Sequence, residues 1–353
     1  SDLGEIEFLN RKDNQVKIRG FRIELGEIES CIRQHPRVGE AVVSVYKDSS
    51  EEKRLVGYVV PNTENDLSNN DAVQVDQWQK IFDTTYSCND TCTIQDPMFD
   101  FSGWISSYTG KPIPKEQMVE WVSTTVESIF DCKPRRILEI GCGTGLLLYR
   151  IAPFTELYWG CDLSNVVVEK LNHDISQKGE EWSHVKVFQG AADNFSYIGE
   201  QKFDCIVINS VIQLFPSIRY LMNVIQSALK FLDINGCLFL GDIRNYEQIE
   251  LFNTSVQFNH SKPTTKVGLF KQQVMNRINR EKELLIHPDF FYNLPKFCKD
   301  VSDIDVMVKS GSSINELNKF RFDVVIYKGN YMKSVSPQVI DCSNTPMNIE
   351  LME

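Results

Sequence analysis

The clearest chemical signal in this chain is a glycine-rich segment, residues 138–145, which reads Leu-Glu-Ile-Gly-Cys-Gly-Thr-Gly. Glycine at alternate positions lets the backbone turn tightly and approach a ligand without clashes from Cβ atoms. The spacing G-x-G-x-G differs from the G-x-G-x-x-G of dinucleotide sites. Glu139, just before the first glycine, would repel a pyrophosphate but attract a cation. Asp162 follows about twenty residues later, where a carboxylate can bind both hydroxyls of a ribose. The pattern therefore predicts a site for a cationic ligand that carries a ribose.

The residues around this loop alternate between strand and helix patterns. Short apolar runs predict strands at 137–140, 157–161, 185–188, 204–209 and 237–240. This alternation is typical of an α/β fold with a doubly wound parallel sheet. Two further runs, 304–309 and 322–327, lie only a loop apart, so we expect them to pair as an antiparallel hairpin at the edge of the sheet. Residues 245–300 have mostly helical character and predict an insertion that faces the substrate.

Upstream of this core the sequence changes character twice. A polar, proline-led stretch at 61–75 predicts a linker. We therefore expect a small α+β unit over residues 1–66, a helical and aromatic lid over 67–134, and the core over 135–353. The supporting patterns are strands at 5–9, 41–46 and 55–60, helices at 24–34, 76–83 and 115–130, and an aromatic turn around Trp104 and Tyr108.

Composition excludes several classes of protein. The net charge of -11 argues against nucleic-acid binding, which needs a basic surface. No apolar run approaches the length of a membrane-spanning helix. Ten cysteines without a signal peptide favour the reducing cytoplasm. The closely spaced Cys88 and Cys92 have no second pair or nearby histidine, so we expect no metal site.

The glycine loop with its two carboxylates resembles the class I S-adenosylmethionine-dependent methyltransferases. The resemblance implies a Rossmann-like, seven-stranded sheet and S-adenosylmethionine as the cofactor. It also implies that Asp193 holds the adenine amine and that residues 209–216 run beneath the methionine end of the cofactor, with Tyr108 in a lid above it. Asp193 could instead be a helix cap, and Asn209 a turn residue at a strand end. The implied cofactor contacts are Tyr108, Glu139, Gly141, Cys142, Gly143, Asp162, Leu163, Asp193 and Asn209.

Residues 10–29, Asn-Arg-Lys-Asp-Asn-Gln-Val-Lys-Ile-Arg-Gly-Phe-Arg-Ile-Glu-Leu-Gly-Glu-Ile-Glu, resemble the hinge motif of nonribosomal peptide synthetase adenylation domains. Asp13 matches the position about which the small adenylation subdomain rotates, and the resemblance continues to about Val60. The large ATP-binding subdomain and the closing motif with its lysine are not found. We therefore expect the chain to act within a longer assembly-line protein, with the large adenylation subdomain and a phosphopantetheine-bearing carrier domain as partners.

From Gln77 onward the chain resembles methyltransferases embedded in adenylation domains, at 78–86, 101–114, the glycine loop, 209–216, 241–257 and 315–325. The resemblance implies methylation of the α-amine of a carrier-bound aminoacyl thioester. Two positions depart from the family pattern: Ile105 stands where an asparagine is usual, and Asn253 where a histidine is usual. These departures leave O-methylation of a carrier-bound hydroxyl open, and a silent interaction domain is a further alternative.

The candidate acceptor-side residues differ with the nucleophile. For an amine, oxygen acceptors that orient it are needed more than a base, and Asn209, Gln213 and Asp242 are the candidates. Asp242 could equally pair with Arg244. A hydroxyl needs a general base, for which His260 is the first candidate, unless it is a surface residue.

Overall fold

The structure is a computed structural model that describes residues 15–18, 21–35, 38–47, 53–61, 67–87, 97–101 and 103–329. The chain divides into two compact units, 1–72 and 73–353. The predicted strand at 5–9, Asp13 and the pair Cys88 and Cys92 lie outside the described residues.

The first unit contains two antiparallel hairpins and one helix. Its elements are β1 Gln15–Ile18, β2 Phe21–Glu24, α1 Leu25–Arg33, β3 Val38–Lys47 and β4 Lys53–Pro61. Glu29 and Arg33 on α1 hold the helix to β3: Oε1 of Glu29 accepts from the amide of Val43 at 2.9 Å, and Arg33 donates to the carbonyl of Ala41 at 2.8 Å. Strands and a helix over this stretch agree with the predicted α+β pattern.

The second unit is built on a 7-stranded sheet in the order β10-β11-β9-β8-β5-β6-β7. Its strands are β5 Arg136–Ile140, β6 Leu157–Asp162, β7 Val185–Gln189, β8 Phe203–Asn209, β9 Leu232–Arg244, β10 Val301–Val308 and β11 Arg321–Lys328. β5 to β9 are parallel, and β10 and β11 are antiparallel to their neighbours. All five parallel strands and the hairpin were predicted. The hairpin enters the sheet with β11 against β9, which leaves β10 as the outer strand of the described sheet.

Helices cover both faces of this sheet, as the near-continuous apolar strands require. α2 Leu67–Ser87 spans the boundary between the two units. The α-helices that follow it are α3 Lys115–Asp131, α4 Leu148–Ile151, α5 Asn165–Ser176, α6 Ile218–Phe231, α7 Ile249–His260, α8 Val267–Ile278, α9 Asp289–Tyr292 and α10 Glu316–Lys319. One core cluster contains Leu221 and Val224 of α6, and the other contains Trp121 and Val122 of α3. This is the Rossmann-like architecture of class I methyltransferases.

Two sequence interpretations change in detail. The predicted linker at 61–75 is helical from Leu67, because the asparagine-rich stretch continues into the periodic apolar pattern of α2. Residues 245–300 form the expected helical insertion, with α7, α8 and α9. No helix within the described ranges is long and apolar enough to cross a membrane.

Candidate functional site

A cavity of about 720 Å³ opens at the carboxyl ends of the parallel strands. Its lining runs from the glycine loop after β5, past the ends of β6 and β8, to the helical insertion. In open α/β sheets, ligands bind at this edge.

The glycine loop is shaped by contacts that exclude side chains. Gly141 has φ +80°, and a Cβ there would lie 2.3 Å from the side chain of Val211. Gly145 has φ +86°, and its Cβ would lie 2.8 Å from Leu171. Gly143 also has a positive φ, +48°. Both the backbone conformation and the packing therefore require glycine, and the loop presents Gly141, Cys142 and Gly143 to the cavity.

Glu139 is a buried carboxylate at the cavity wall. Its Oε2 accepts a hydrogen bond from the hydroxyl of Tyr158 at 2.6 Å. Burial raises the pKa of Glu139 to about 8, against the opposing effect of the Tyr158 hydrogen bond. A carboxylate in this environment gains strongly from a cation placed beside it, which fits the ligand predicted from the sequence.

Asp162 at the end of β6 also lines the cavity. Its carboxylate accepts from the amide of Gly143 at 2.8 Å and from the amide of Ser164 at 2.9 Å, which fixes the glycine loop relative to β6. Desolvation by burial raises the pKa of Asp162, and the backbone amides oppose this rise. Leu163 follows it at the cavity wall.

The second half of α2 forms one wall of the cavity. Trp78, Phe82 and Tyr86 follow each other at helical spacing, with ring centroids 5.9 Å apart in each successive pair. The hydroxyl of Tyr86 lies 3.6 Å from the position of a Cβ on Gly143. Asp83, between these rings, accepts a hydrogen bond from Ser164 beyond the end of β6. The sequence predicted a helix at 76–83 and a family resemblance at 78–86, but Tyr86 was not among the predicted site residues, although its spacing of four residues from Phe82 could have indicated it.

Asp193 does not line the cavity, although Gly190, Ala191 and Ala192 do. Its exposed carboxylate accepts from the hydroxyl of Tyr220 at 2.8 Å, so in this structure it neither caps a helix nor faces the cavity.

Two side-chain oxygens near the end of β8 have no hydrogen-bond partner among the described residues. These are Oδ1 of Asn209 and Oε1 of Gln213, both buried. Both residues line the cavity. The amide nitrogen of Gln213 donates to the carbonyl of Ser210 at 2.8 Å, which fixes which end of the side chain is the oxygen. Buried acceptors without partners are rare and indicate a missing donor.

Asp242 is wholly buried and does not line the cavity. Its carboxylate accepts from Trp121 at 3.1 Å and also from Ser210 and Arg321. Burial opposes its ionisation, but Arg321 and Lys309 together lower the pKa of Asp242 below its ordinary value. The predicted pairing of Asp242 with Arg244 is therefore wrong. Because its side chain is buried outside the cavity lining, Asp242 is not placed to contact a methyl acceptor directly. Asp242 instead supports the loop that carries the two free oxygens.

Arg244 forms a different pair of contacts. It donates to Glu281 at 2.7 Å and to Glu283 at 2.6 Å, and all three residues line the cavity. Position 244 ends β9 and faces the insertion, whereas Asp242 two residues earlier has φ +64° and is held on the other side by Arg321.

Tyr108 and His260 lie together, outside the cavity lining. The Tyr108 hydroxyl is 2.8 Å from the hydroxyl of Ser255, and the His260 ring nitrogen Nε2 is 2.7 Å from the carbonyl oxygen of Tyr108. His260 is exposed, which agrees with its interpretation as a surface residue. Neither side chain faces the cavity, because both connect the turn at 103–113 to α7.

Glu316 is a cavity residue that sequence analysis missed. Its buried carboxylate accepts from the amide of Ser107 at 2.9 Å and from its hydroxyl at 3.1 Å. Nothing in its local pattern separates it from a surface glutamate, since it begins the short helix α10 far from Ser107 in the chain. Within the described part of the chain, no group of three or more His, Cys, Asp or Glu side chains could hold a metal ion.

Comparison with known proteins matches residues 138–238 to a family model described as a methyltransferase domain. Over 92% of its length the chain is 39% identical to chondramide synthase cmdD of Chondromyces crocatus, of which it covers 8%. It is 39% identical to a probable non-canonical nonribosomal peptide synthetase, CymA, of Salinispora arenicola (strain CNS-205), and 33% identical to enniatin synthase of Fusarium equiseti, covering 4% and 11% of those proteins. The chain thus spans a small part of the length of the curated relatives it matches.

Among solved structures, the chain is similar to magnesium protoporphyrin IX methyltransferase (ChlM) of Synechocystis PCC 6803 with bound SAH. The identity is 12%, the TM-score 0.44, and the match covers 70% of this chain and 100% of that one.

The sheet order, the glycine loop and the family match define an S-adenosylmethionine-dependent methyltransferase. Along almost its whole length the chain is similar to nonribosomal peptide synthetases, which agrees with a methyltransferase segment embedded in such a protein. S-adenosylmethionine is its cofactor, and the buried carboxylate of Glu139 beside a side-chain-free loop fits a cationic amino acid ligand.

Proposed function

We propose that this chain methylates the α-amine of an aminoacyl thioester held on the phosphopantetheine arm of a carrier domain. The observation that carries this proposal is the pair of unpartnered oxygens on Asn209 and Gln213 at the acceptor end of the cavity. A neutral primary amine has two N–H donors for two acceptors and keeps its lone pair for the methyl group. A hydroxyl has only one donor, so it would leave one of the oxygens unpaired.

The cofactor end of the cavity divides its tasks among the residues described above. Glu139 binds the positively charged amino group of the cofactor, Asp162 accepts from the ribose hydroxyls, and the aromatic face of α2 covers the site from the outside. S-adenosylmethionine supplies a methyl group on a positively charged sulfur, which keeps the electron pair of the carbon–sulfur bond as the nucleophile takes the methyl carbon.

The protein contributes orientation and exclusion of water to this transfer. Asn209 and Gln213 hold the amine through its hydrogens, so that its lone pair is free to attack. Trp104 and Trp121, with ring centroids 4.6 Å apart, provide an apolar wall on the acceptor side of the cavity. The proton that the methylated nitrogen must lose passes to solvent after the transfer.

The distribution of histidines supports an amine over a hydroxyl. No histidine among the described residues lines the cavity. Attack by a hydroxyl requires a general base within hydrogen-bond reach. The candidate base, His260, is exposed and contacts the Tyr108 carbonyl. Of the cavity carboxylates beside the insertion, Glu281 and Glu283 are paired with Arg244, and Glu316 accepts from Ser107. An α-amine next to a thioester is neutral much of the time near pH 7 and needs no such base.

The peptide synthetase relatives support a carrier-bound acceptor, and the resemblance of residues 10–29 to an adenylation hinge supports an adenylation neighbour. The test uses matched α-amino and α-hydroxy acyl thioesters on the same carrier, incubated with S-adenosylmethionine and followed by mass spectrometry. We expect a gain of one methyl group on the amino substrate at least ten times faster than on the hydroxy substrate. Faster methylation of the hydroxy substrate would assign oxygen as the acceptor, and no methylation of either would make the domain silent.

A further inference from the structure

Two arginines at the insertion side of the cavity have no acidic partner among the residues that the structure describes. Arg277 and Arg280 both line the cavity and share the turn that ends α8, where the amide of Arg280 donates to the carbonyl of Arg277 at 3.1 Å. Across the part of the chain that the structure describes, neither forms an ion pair, and Nε of Arg277 is buried without a hydrogen-bond partner. Both residues line the cavity, so an anion bound there can accept hydrogen bonds from their guanidinium groups.

The acidic groups nearest in sequence are already neutralised. Glu281 and Glu283 both accept from Arg244, at 2.7 Å and 2.6 Å. The fourth cavity arginine, Arg321, pairs with the buried Asp242. The positive charge of Arg277 and Arg280 therefore remains uncompensated, in a chain whose net charge is -11.

The segment that follows α8 connects these arginines to the proposed acceptor site. The segment after α8 returns to the sheet, where the amide of Leu284 donates to the carbonyl of Gln213 at 2.8 Å. The segment thus carries the two arginines at one end, and at the other it is hydrogen-bonded to the backbone of Gln213, whose side-chain oxygen is proposed to hold the amine. A substrate that fits both ends has a nucleophile at one end and an anion at the other.

We propose that Arg277 and Arg280 form an anion subsite that binds the phosphodiester of the phosphopantetheine arm. This inference rests on the proposed function, because that arm is what carries the acyl group. A thioester has no carboxylate, so the phosphodiester is the anionic group of such a substrate. Guanidinium groups bind phosphate oxygens through several parallel N–H donors, and uncompensated arginines also offset the repulsion that an acidic chain exerts on an anion.

The test compares an aminoacyl thioester of 4′-phosphopantetheine, whose phosphomonoester stands in for the phosphodiester of the carrier-bound arm, with the same thioester of pantetheine, which lacks the phosphate. The wild type should prefer the phosphorylated substrate in kcat/KM. The double variant R277Q/R280Q should lose that preference through a roughly 10- to 100-fold loss on the phosphorylated substrate alone, as expected for charged hydrogen bonds.

Two control variants separate a subsite from a general effect of charge or folding. The double variant K262Q/K271Q removes the same charge from exposed positions of the insertion that do not line the cavity, and it should keep the preference. R277K/R280K, which keeps the charge but not the planar donors, should recover part of it. Equal wild-type rates on both substrates, or an equal loss on both in R277Q/R280Q, would overturn the proposal.

The anion subsite can be tested even if the proposed function is wrong. If oxygen is the acceptor, the same comparison is made with hydroxyacyl thioesters. If no methyl transfer occurs, calorimetry of the wild type with 4′-phosphopantetheine and with pantetheine gives the answer, and tighter binding of the former, lost in R277Q/R280Q, supports the subsite. Binding of inorganic phosphate with no preference between the two arms would contradict the assignment to the tether.

Discussion

Glu139 shows how burial converts an ordinary carboxylate into a group prepared for a cation. Its side chain is only 3% exposed, it has Tyr158 as its hydrogen-bond donor, and its pKa is raised to about 8. Near neutral pH the free site therefore holds a proton where the ligand's positive charge is expected. Binding of the cofactor should displace that proton, which ties the affinity to pH.

The same shift predicts a pH dependence of stability. Since the pKa of Glu139 rises from 4.5 unfolded to about 8 folded, the folded chain binds this proton more tightly. The stabilisation is complete below pH 4.5 and is lost as the pH rises through 8. The wild type should therefore lose on the order of a few kcal/mol of unfolding free energy between pH 6 and 9, in the absence of cofactor, that E139Q does not lose.

Chemical denaturation at both pH values measures this difference. E250Q, which removes an exposed carboxylate on α7, serves as the control and should follow the wild type. Identical pH dependence in the wild type and E139Q would show that Glu139 is ionised in the free protein. In calorimetry, E139Q should also abolish the proton release that accompanies cofactor binding at pH 7.

At the scale of single elements, α2 closes the cofactor end of the cavity with one aromatic face. Phe82 lies on that face, whereas its neighbour Ile81 is 50% exposed. F82A should raise the dissociation constant of S-adenosylhomocysteine about 10-fold or more, because an aromatic ring that covers a ligand contributes roughly 1.5–3 kcal/mol. I81A should leave it unchanged. Similar affinities in the two variants would mean that α2 does not cover the bound ligand.

The ends of β8 and β9 are held together through Asp242. Ser210 and Asp242 both have positive φ, +57° and +64°, and their side chains share a hydrogen bond. D242N should destabilise the fold by about 3–5 kcal/mol, because it leaves the partly buried Arg321 without its partner. Since Ser210 orients Gln213, the methyl transfer rate should fall as well, while cofactor affinity changes little.

Thermal and chemical unfolding measure the first effect and single-turnover kinetics the second. E156Q, which breaks the exposed pair of Glu156 with Arg135, is the matched control and should cost less than about 1 kcal/mol. A D242N variant as stable as E156Q would show that the hydrogen bonds of Asp242 do not stabilise this loop.

Features that depend on local sequence were predicted, whereas features that depend on contacts between residues distant in the sequence were not. The strands and the glycine loop were predicted because apolar periodicity and local spacing determine them. The partner of Asp242 was not, since Arg321 lies 79 positions away and the neighbouring Arg244 offered a nearer pairing. The contact of Glu316 with Ser107 also depends on how the turn at 103–113 packs, which local sequence does not specify.

At the scale of the whole molecule, the cavity runs from the glycine loop to the insertion, and under the proposed function it holds the cofactor and the acceptor together. Binding energy from the distant part of an acceptor can then be used to place its reacting nitrogen. Free amino acids, which lack the arm, should be methylated at least 100-fold less efficiently in kcat/KM than the carrier-bound thioester. Competition between the two acceptors, followed by mass spectrometry, measures the ratio, and a ratio near one would contradict a tethered acceptor.

The sheet order has a consequence for how this chain is made. β11 follows the other six strands of this sheet in the sequence, yet it lies inside the sheet, paired with β9 on one side and β10 on the other. Until residues 321–328 leave the ribosome, β9 presents a long row of unpaired backbone groups along an apolar strand, and such edges pair readily with other chains. The unit can therefore complete its sheet only after β11 has been synthesised. A truncation that ends before Arg321 should give a product that aggregates rather than a smaller folded domain.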